Sequence, residues 1–385
     1  MIPQEWDVKS FDDLFDFRNG VNAEKQAYGQ GVPFINVLEP ITYSHIYGPE
    51  ISGRIMLSES LLNSYAVRHG DVLFNRTSET QEEVGLASAY LGSEQVVFGG
   101  FVICGRPKND SLDPLYSGYA LRAPSVRSQI IPMGQGAIRA NISQHNLKLV
   151  LALVPAPAEQ GAIATALRDV DELLKGIERL IAKKHDLKQA AMQQLLTGQT
   201  RLPGFIGEWE TKKLGEMLTI CHGKSQRGIE TEDGIYPILA TGGQIGSTNS
   251  YICDKPSVLI GRKGTIDQPQ YMDTPFWTVD TLFYSNVKNG NSAKFLFYLF
   301  WRFDWKRYNE ASGVPSLNAK TIEGIEAKCP EPHEQEAIAT VLTDMDAELA
   351  ALDQRLTKTR NLKQAMMQEL LTGKTRLVTS EAIHA

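Results

Sequence analysis

Two loops in the first half of the chain carry Arg76-Thr77-Ser78 and Arg139-Ala-Asn141, and matching loops in the second half carry Arg262-Lys263-Gly-Thr265 and Ser316-Leu-Asn318. Lys224, Gln226 and Arg227 add a further basic group to the second half. Arg and Lys can pair with guanine edges in a major groove, Asn and Gln with adenine, and Ser or Thr with phosphates. Any one of these side chains could equally be a solvated loop residue with no ligand. As a matched pair of loop sets they point to nucleic-acid contact.

Other chemistry is missing. There is no G-x-x-x-x-G-K-[ST] phosphate loop, no G-x-S-x-G elbow and no H-E-x-x-H. An Asn-Pro-Pro-Tyr or Asp-Pro-Pro-Tyr tetrapeptide, which an amino-methyltransferase would need, is absent, and Asp273-Thr-Pro-Phe276 lacks the second proline. Phe98-Gly-Gly100 echoes a cofactor loop but reads better as a strand bulge. Cys104, Cys221, Cys253 and Cys329 are scattered, which argues against a disulfide framework and a zinc site. The expectation is a non-catalytic chain with no metal and no cofactor of its own. A net charge of −6 gives no global attraction to nucleic acid, so any such binding rests on local basic loops or on a partner. No apolar run approaches the roughly 18 residues of a membrane span, and MIPQEWDVKS has no signal pattern, so the chain reads as cytoplasmic.

The elements that must position these loops are organised by a repeat. About half of residues 155–202 recur without gaps 175 positions later, in 330–377. The copies contain EQGAIATALRDVD and EQEAIATVLTDMD and end LKQAAMQQLLTGQTRL and LKQAMMQELLTGKTRL. Such a period is far too long for a solenoid unit. In the first copy Ile163, Leu167, Val170, Leu174, Ile177 and Ile181 follow heptad spacing, as do Ile338, Leu342, Met345, Leu349, Leu352 and Leu356 in the second. The seam then shifts register, resuming at Leu187 and Leu195, and at Leu362, Met366 and Leu370. Pro157 and Pro332 precede the apolar runs, and Gly198 and Gly373 suit the left-handed position that ends a helix. The pattern predicts a helix over 158–197 and its counterpart, each of about 40 residues and about 60 Å. Paired as an antiparallel coiled coil, the two would cover each other's stripes; alternatively, each packs on its own neighbouring domain.

The plan is therefore α+β, with two mixed α/β domains separated by two long helices forming an antiparallel coiled coil. Residues 1–154 make the first domain, 155–202 the first helix, 203–329 the second domain, 330–377 the second helix and 378–385 a tail. Each domain opens with a Glu-Trp pair, Glu5-Trp6 and Glu208-Trp209, and a short helical stretch closing at Gly20 or Gly223. A strand then delivers Arg76 or Arg262 to a loop. Later strands are expected at Val96–Ile103 and Phe276–Tyr284, and helices near Asp113–Ile131 and Ser292–Asn309, the latter packed by Trp301, Trp305 and Tyr308.

These residues carry a resemblance. The two P-x-P-x-E-Q-x-A-I-A-T segments, each running to L-L-T-G-x-T-R-L, the Glu-Trp openings and Gly-Arg-Lys-Gly-Thr at 261–265 resemble the specificity subunits of Type I restriction–modification systems over essentially the full length. The resemblance implies that each variable domain is a target-recognition domain for one half of a bipartite, asymmetric site in double-stranded DNA. It implies two modification subunits bringing S-adenosylmethionine to an adenine in each half-site, and motor-nuclease subunits joining for restriction. The coiled coil would act as a ruler: half-sites one turn apart, ~34–36 Å, lie within reach of a ~60 Å rod. Two other readings compete, a coiled-coil scaffold that binds protein in place of DNA and a methyltransferase fragment. Arg376-Leu377 corresponds to Arg201-Leu202, which leads into a Trp-bearing opening, so the two termini are expected to lie close together.

Overall fold

A computed structural model describes residues 3–136, 138–288 and 290–377; the expected tail at 378–385 lies outside these residues. Both long helices are continuous, Pro157–Leu195 and Pro332–Leu370, with Gly198 and Gly373 each in the left-handed region at φ 71°. The chain divides into two compact units, and the division cuts each helix near its middle. Among the described residues, one unit holds 3–136, 138–176 and 356–377, and the other 177–288 and 290–355.

In the first unit an antiparallel ribbon of Asp7–Ser10 with Leu151–Val154 closes the base of the globular part. The same unit holds a five-stranded sheet in the order Phe15–Asn19, Val102–Pro107, Val72–Asn75, Ala87–Tyr90, His45–Ile46, together with a four-stranded sheet built around Tyr28–Ile35. The second unit repeats this plan in reduced form. Glu210–Lys213 pairs with Glu326–Cys329, and the unit adds a four-stranded sheet containing Leu218–His222 and Ser257–Gly261 and a three-stranded sheet around Tyr236–Ala240.

Several local expectations change. The stretches ending at Gly20 and Gly223 are one helical turn each, Phe11–Leu14 and Leu214–Met217, followed by the strands Phe15–Asn19 and Leu218–His222. Val96–Ile103 is two strands parted by the Gly99-Gly100 turn, and 276–284 likewise divides into Trp277–Thr278 and Leu282–Val287. The helix expected over 113–131 breaks between Pro114–Ala120 and Pro124–Ile130. Pro124 has no N–H for a continuous helix and pushes Ala123 into extended backbone. The helix expected over 292–309 ends at Arg302, before a 3-10 turn at Trp305–Tyr308; Trp305 is buried, whereas Trp301 is exposed.

Inside each unit, the start of one long helix packs against the end of the other, which makes the pairing antiparallel. Ile163, Ala164 and Leu167 share a core with Leu370, Leu371, Met366 and Met367, and with Phe11, Tyr116 and Tyr119 of the globular part. Ile338, Ala339 and Leu342 share the other core with Leu195, Leu196 and Met192, and with Leu214, Tyr298 and Trp305. The two packing alternatives are thus combined: helix meets helix and domain at once. Ile177 and Leu349 are buried, whereas Val170, Leu174, Ile181, Met345, Leu352 and Leu356 are half-buried. Leu187 and Leu362 leave the seam; they are 46% and 54% exposed, and the neighbouring Lys188 and Lys363 turn inward to carboxylates.

The repeated polar residues form three mounts, each present twice. Glu159 is fully buried and accepts from Arg376 Nε at 2.5 Å and Nη2 at 2.8 Å, while Trp6 Nε1 donates to it at 2.9 Å. Glu334 receives Arg201 Nε at 2.5 Å, Nη2 at 2.6 Å and Trp209 Nε1 at 3.2 Å. Each guanidinium also stands over its indole, 5.9 and 5.8 Å from the ring centre. A Cβ on Gly198 would come within 3.2 Å of the Trp209 ring, and one on Gly373 within 2.5 Å of Pro3 and 3.3 Å of the Trp6 ring. Next, Tyr119 donates to Asp171 and Tyr298 to Asp346, both at 2.7 Å, with Lys363 and Lys188 closing the ion pairs. Burial, foremost, and then these carboxylates push both phenols well above their ordinary range. Last, Gln160 accepts from Asp113 N and donates to Ser111 O, and Gln335 accepts from Ser292 N and donates to Asn291 Oδ1, which pins the first turn of a domain helix to the long helix. Arg376 also reaches Glu5 at 3.1 Å, so the described ends of the chain meet, as the sequence led us to expect.

Removing the carboxylate of Glu159 leaves Trp6 and Arg376 without their acceptor. Glu159→Ala is expected to destabilise the first unit by about 3 kcal/mol, measured by urea unfolding. A loss under about 0.5 kcal/mol, the range of ordinary surface changes, would show that the mount carries no load.

Candidate nucleic-acid interface

In both units a buried strand ends in an arginine that is held in the same way. After Val72–Asn75, Arg76 N donates to Phe101 O at 2.9 Å and Arg76 O accepts from Ile142 N at 3.0 Å. After Ser257–Gly261, Arg262 N donates to Thr281 O at 2.8 Å and Arg262 O accepts from Leu317 N at 2.9 Å. The guanidinium groups match as well: Arg76 Nη1 donates to Gly100 O and Arg262 Nη1 to Asp280 O, both at 3.3 Å. Two loops of unlike sequence therefore share one backbone frame. Each arginine is braced by a carbonyl and keeps further N–H groups free to donate.

The partner loop is brought alongside by strand pairing. Thr77 and Ser78 pair with Asn141 and Ala140, and Lys263 bridges to Ser316. The sequence-separated candidates thus sit side by side within each unit. Gly264 makes this possible in the second: it has φ +92°, and its N–H donates to Pro315 O at 2.9 Å. Gly261 is equally required, because a Cβ there would lie 2.0 Å from Thr265 O. Lys224 binds the same connection that holds Arg262, since its N–H donates to Thr278 O and its carbonyl accepts from Trp277 Nε1.

Several candidates prove to have local duties. Ser78 is buried and donates to Glu83 at 2.6 Å. Asn141 accepts from Thr77 Oγ1 at 2.6 Å and donates to Arg139 O at 2.9 Å, so its amide is engaged at both ends. Asn318 caps a short helix by accepting from Lys320 N. Gln226 is half-buried, and Thr265 is exposed. The remaining cations differ from those of the long helices. Among the described residues no ion pair involves Arg76, Lys224, Arg227, Arg262 or Lys263, and Arg139 has only Glu79, at 3.9 Å across an exposed surface. Only Arg76 and Arg262 occupy matched positions, and loop cations without internal counter-charges favour an external anion.

One element escaped the sequence reading. The residues that follow strand Tyr28–Ile35, Asn36 and Val37, line a cavity of about 400 Å³ together with Thr77, Ser78, Phe101 and Arg139. Their counterparts are Ala240 and Thr241, as Phe34 pairs with Val97 where Ile238 pairs with Trp277. Thr241 Oγ1 would lie 3.7 Å from a Cβ on Gly264, so this segment too lies against the arginine loop. The signal was Pro33-Phe-Ile-Asn set against Pro237-Ile-Leu-Ala.

The thiols are poor nucleophiles. Burial pushes Cys104 and Cys329 up to about 12 and raises Cys221 and Cys253. Among the described residues no group of three or more His, Cys, Asp or Glu is arranged to hold a metal, and no helix is long and apolar enough to cross a membrane.

The frame predicts different outcomes for neighbouring residues in DNA-binding titrations. Lys263→Ala should weaken binding uniformly across sequences and lower the slope of log K against log salt by about 0.9. Arg262→Ala should change base preference within one half of the site, at about 1–3 kcal/mol for a bidentate contact. A sequence-independent loss for both would reassign Arg262 to phosphate.

Comparison with known proteins fits this arrangement. The family profile described as Type I restriction modification DNA specificity domain matches residues 206–359. A putative type I restriction enzyme specificity subunit, MjaX of Methanocaldococcus jannaschii, is 25% identical over 98% of this chain and 95% of its own. The EcoKI specificity subunit of Escherichia coli is 24% identical over 48% of this chain and 41% of its own. The crystal structure of the S subunit of a Type I system from M. genitalium superposes with a TM-score of 0.63 at 18% identity, covering 96% of both chains. That of HsdS from Thermoanaerobacter tengcongensis gives 0.56 at 15% identity over 97% and 98%, so the fold is shared.

Proposed function

This chain belongs to the family of Type I restriction–modification specificity subunits, and we propose that its two domains read the two unlike halves of a bipartite DNA target. The carrying observation is the shared frame around Arg76 and Arg262, which presents different side chains on the same backbone scaffold. Equal frames give each domain a comparable approach to DNA. Unequal side chains, Thr77 and Arg139 in one and Lys263 and Ser316 in the other, give each half its own sequence. The chain itself is non-catalytic; the adenines are flipped out and methylated by modification subunits, which bind S-adenosylmethionine. Motor-nuclease subunits join for restriction.

The repeat supports two equivalent docking places for the modification subunit. The copies agree at 11 of 17 positions over 155–171 and at 13 of 16 over 187–202, but at only 2 of 15 over 172–186. Most of the agreement serves the mounts and the cores. Leu187, Gln189, Ala190 and Gln193, with Leu362, Gln364, Ala365 and Gln368, are nevertheless exposed in both copies. Identity retained at exposed positions, beside a diverged middle, fits one partner binding twice.

The test is methylome sequencing of cells that express this chain with its modification subunit. The expected result is one interrupted motif with unlike halves and methyladenine in each. An assembled complex that leaves no modified motif would contradict DNA readout and favour a protein-binding scaffold.

A further inference from the structure

The cavity beside the first arginine loop has a polar group with no role inside the fold. Thr77 is bonded to Asn141, and Ser78 to Glu83. Asn36 is different: its Oδ1 is shielded from solvent and has no hydrogen-bond partner. An acceptor withdrawn from water without a partner is unfavourable, and a ligand that donates to it would remove that cost. The Asn36 backbone is fixed, because its N–H donates to Glu39 Oε2 at 2.9 Å and Glu39 is buried. The backbone is thus held while the side chain lines the cavity.

The second unit has no carboxamide at this position, and its own unpartnered buried polar atom, Thr278 Oγ1, lies on the neighbouring strand. Ala240 stands at the equivalent position, and Gln270 Nε2 fills the space by donating to Ala240 O at 3.0 Å and Thr241 O at 3.3 Å. The two frames thus diverge at a point adjoining both arginine loops.

We propose that Asn36 is a specificity-determining residue of the first domain and that it reads an adenine. A carboxamide offers one acceptor and one donor in a plane. Adenine answers with its N6 amino group and N7, side by side on the major-groove edge. Phe101, 53% exposed on the same cavity, supplies an apolar wall, and Arg139 a cation for the flanking phosphate or base. This assignment rests on the chain being a DNA-recognition subunit.

The experiment uses the full complex with its modification subunits, and duplexes carrying the motif found by methylome sequencing. Asn36→Ala places at this position the residue that the second frame carries, and it leaves the backbone bond from Asn36 N to Glu39 in place. It should lower discrimination at one adenine of one half-site by roughly 5- to 150-fold, leaving the other half unchanged. Replacing that adenine by 7-deazaadenine, which lacks the N7 acceptor, should weaken binding by the native complex but not by the variant. Asn36→Asp keeps the acceptor alone and should shift preference toward cytosine. An intact motif with undiminished discrimination in Asn36→Ala overturns the proposal and leaves the DNA-reading function standing. A native complex that modifies no motif overturns both.

Discussion

Everything else depends on a buried carboxylate. Glu159 and Glu334 each take two N–H groups from an arginine and one from an indole, in a setting closed to water. An unpaired charge there would be prohibitive, so the arginine must arrive. That requirement reaches along the chain. Arg376 comes from beyond the end of one long helix and Glu159 from the first turn of the other, so satisfying the charge fixes the antiparallel direction of the helices within that unit. The same bond brings Trp6 into place, and with it the ribbon that opens the globular part. Arg201, Glu334 and Trp209 impose the same order on the other unit.

With the mounts fixed, the domains are free to differ where they meet a ligand. The ribbons, the arginine-bearing strands and two short capped helices, Gln144–Lys148 behind Ser143 and Ala319–Glu323 behind Asn318, recur in both. The sheets do not: five and four strands in one unit correspond to four and three in the other. Beside the arginine frames the side chains differ too: Asn36 lines a cavity, whereas Gln270 bonds to the counterpart segment. Structural residues are thus held constant by buried polar geometry, while loop residues can change without disturbing a core.

The sequence revealed this architecture unevenly. The helices, their ends at Gly198 and Gly373 and the matched arginine loops were legible because each depends on local pattern or on internal repetition. The roles of Glu159, Arg376 and Trp6 were not, although all three lay in quoted motifs. Their meeting joins positions 217 residues apart, and no local rule reports it. Leu187 and Leu362 fit a shifted heptad, but the ion pairs of Lys188 and Lys363 override that spacing. Asn318 and Asn141 looked like base readers because cap and turn residues share the amide chemistry of recognition residues. Asn36 was missed because its interest lies in an unmet hydrogen bond, which exists only in three dimensions.

The central claim is that two equivalent mounts carry interchangeable readers. The most direct measurement is the methylome of a chain in which a copy of Asp7–Val154 replaces Glu210–Cys329, the ends being joined at matching ribbon positions. The account predicts that the complex assembles and modifies a site whose two halves are the same, each being the half read by the first domain. A folded, assembled complex that still modifies the original asymmetric motif, or none, would contradict it.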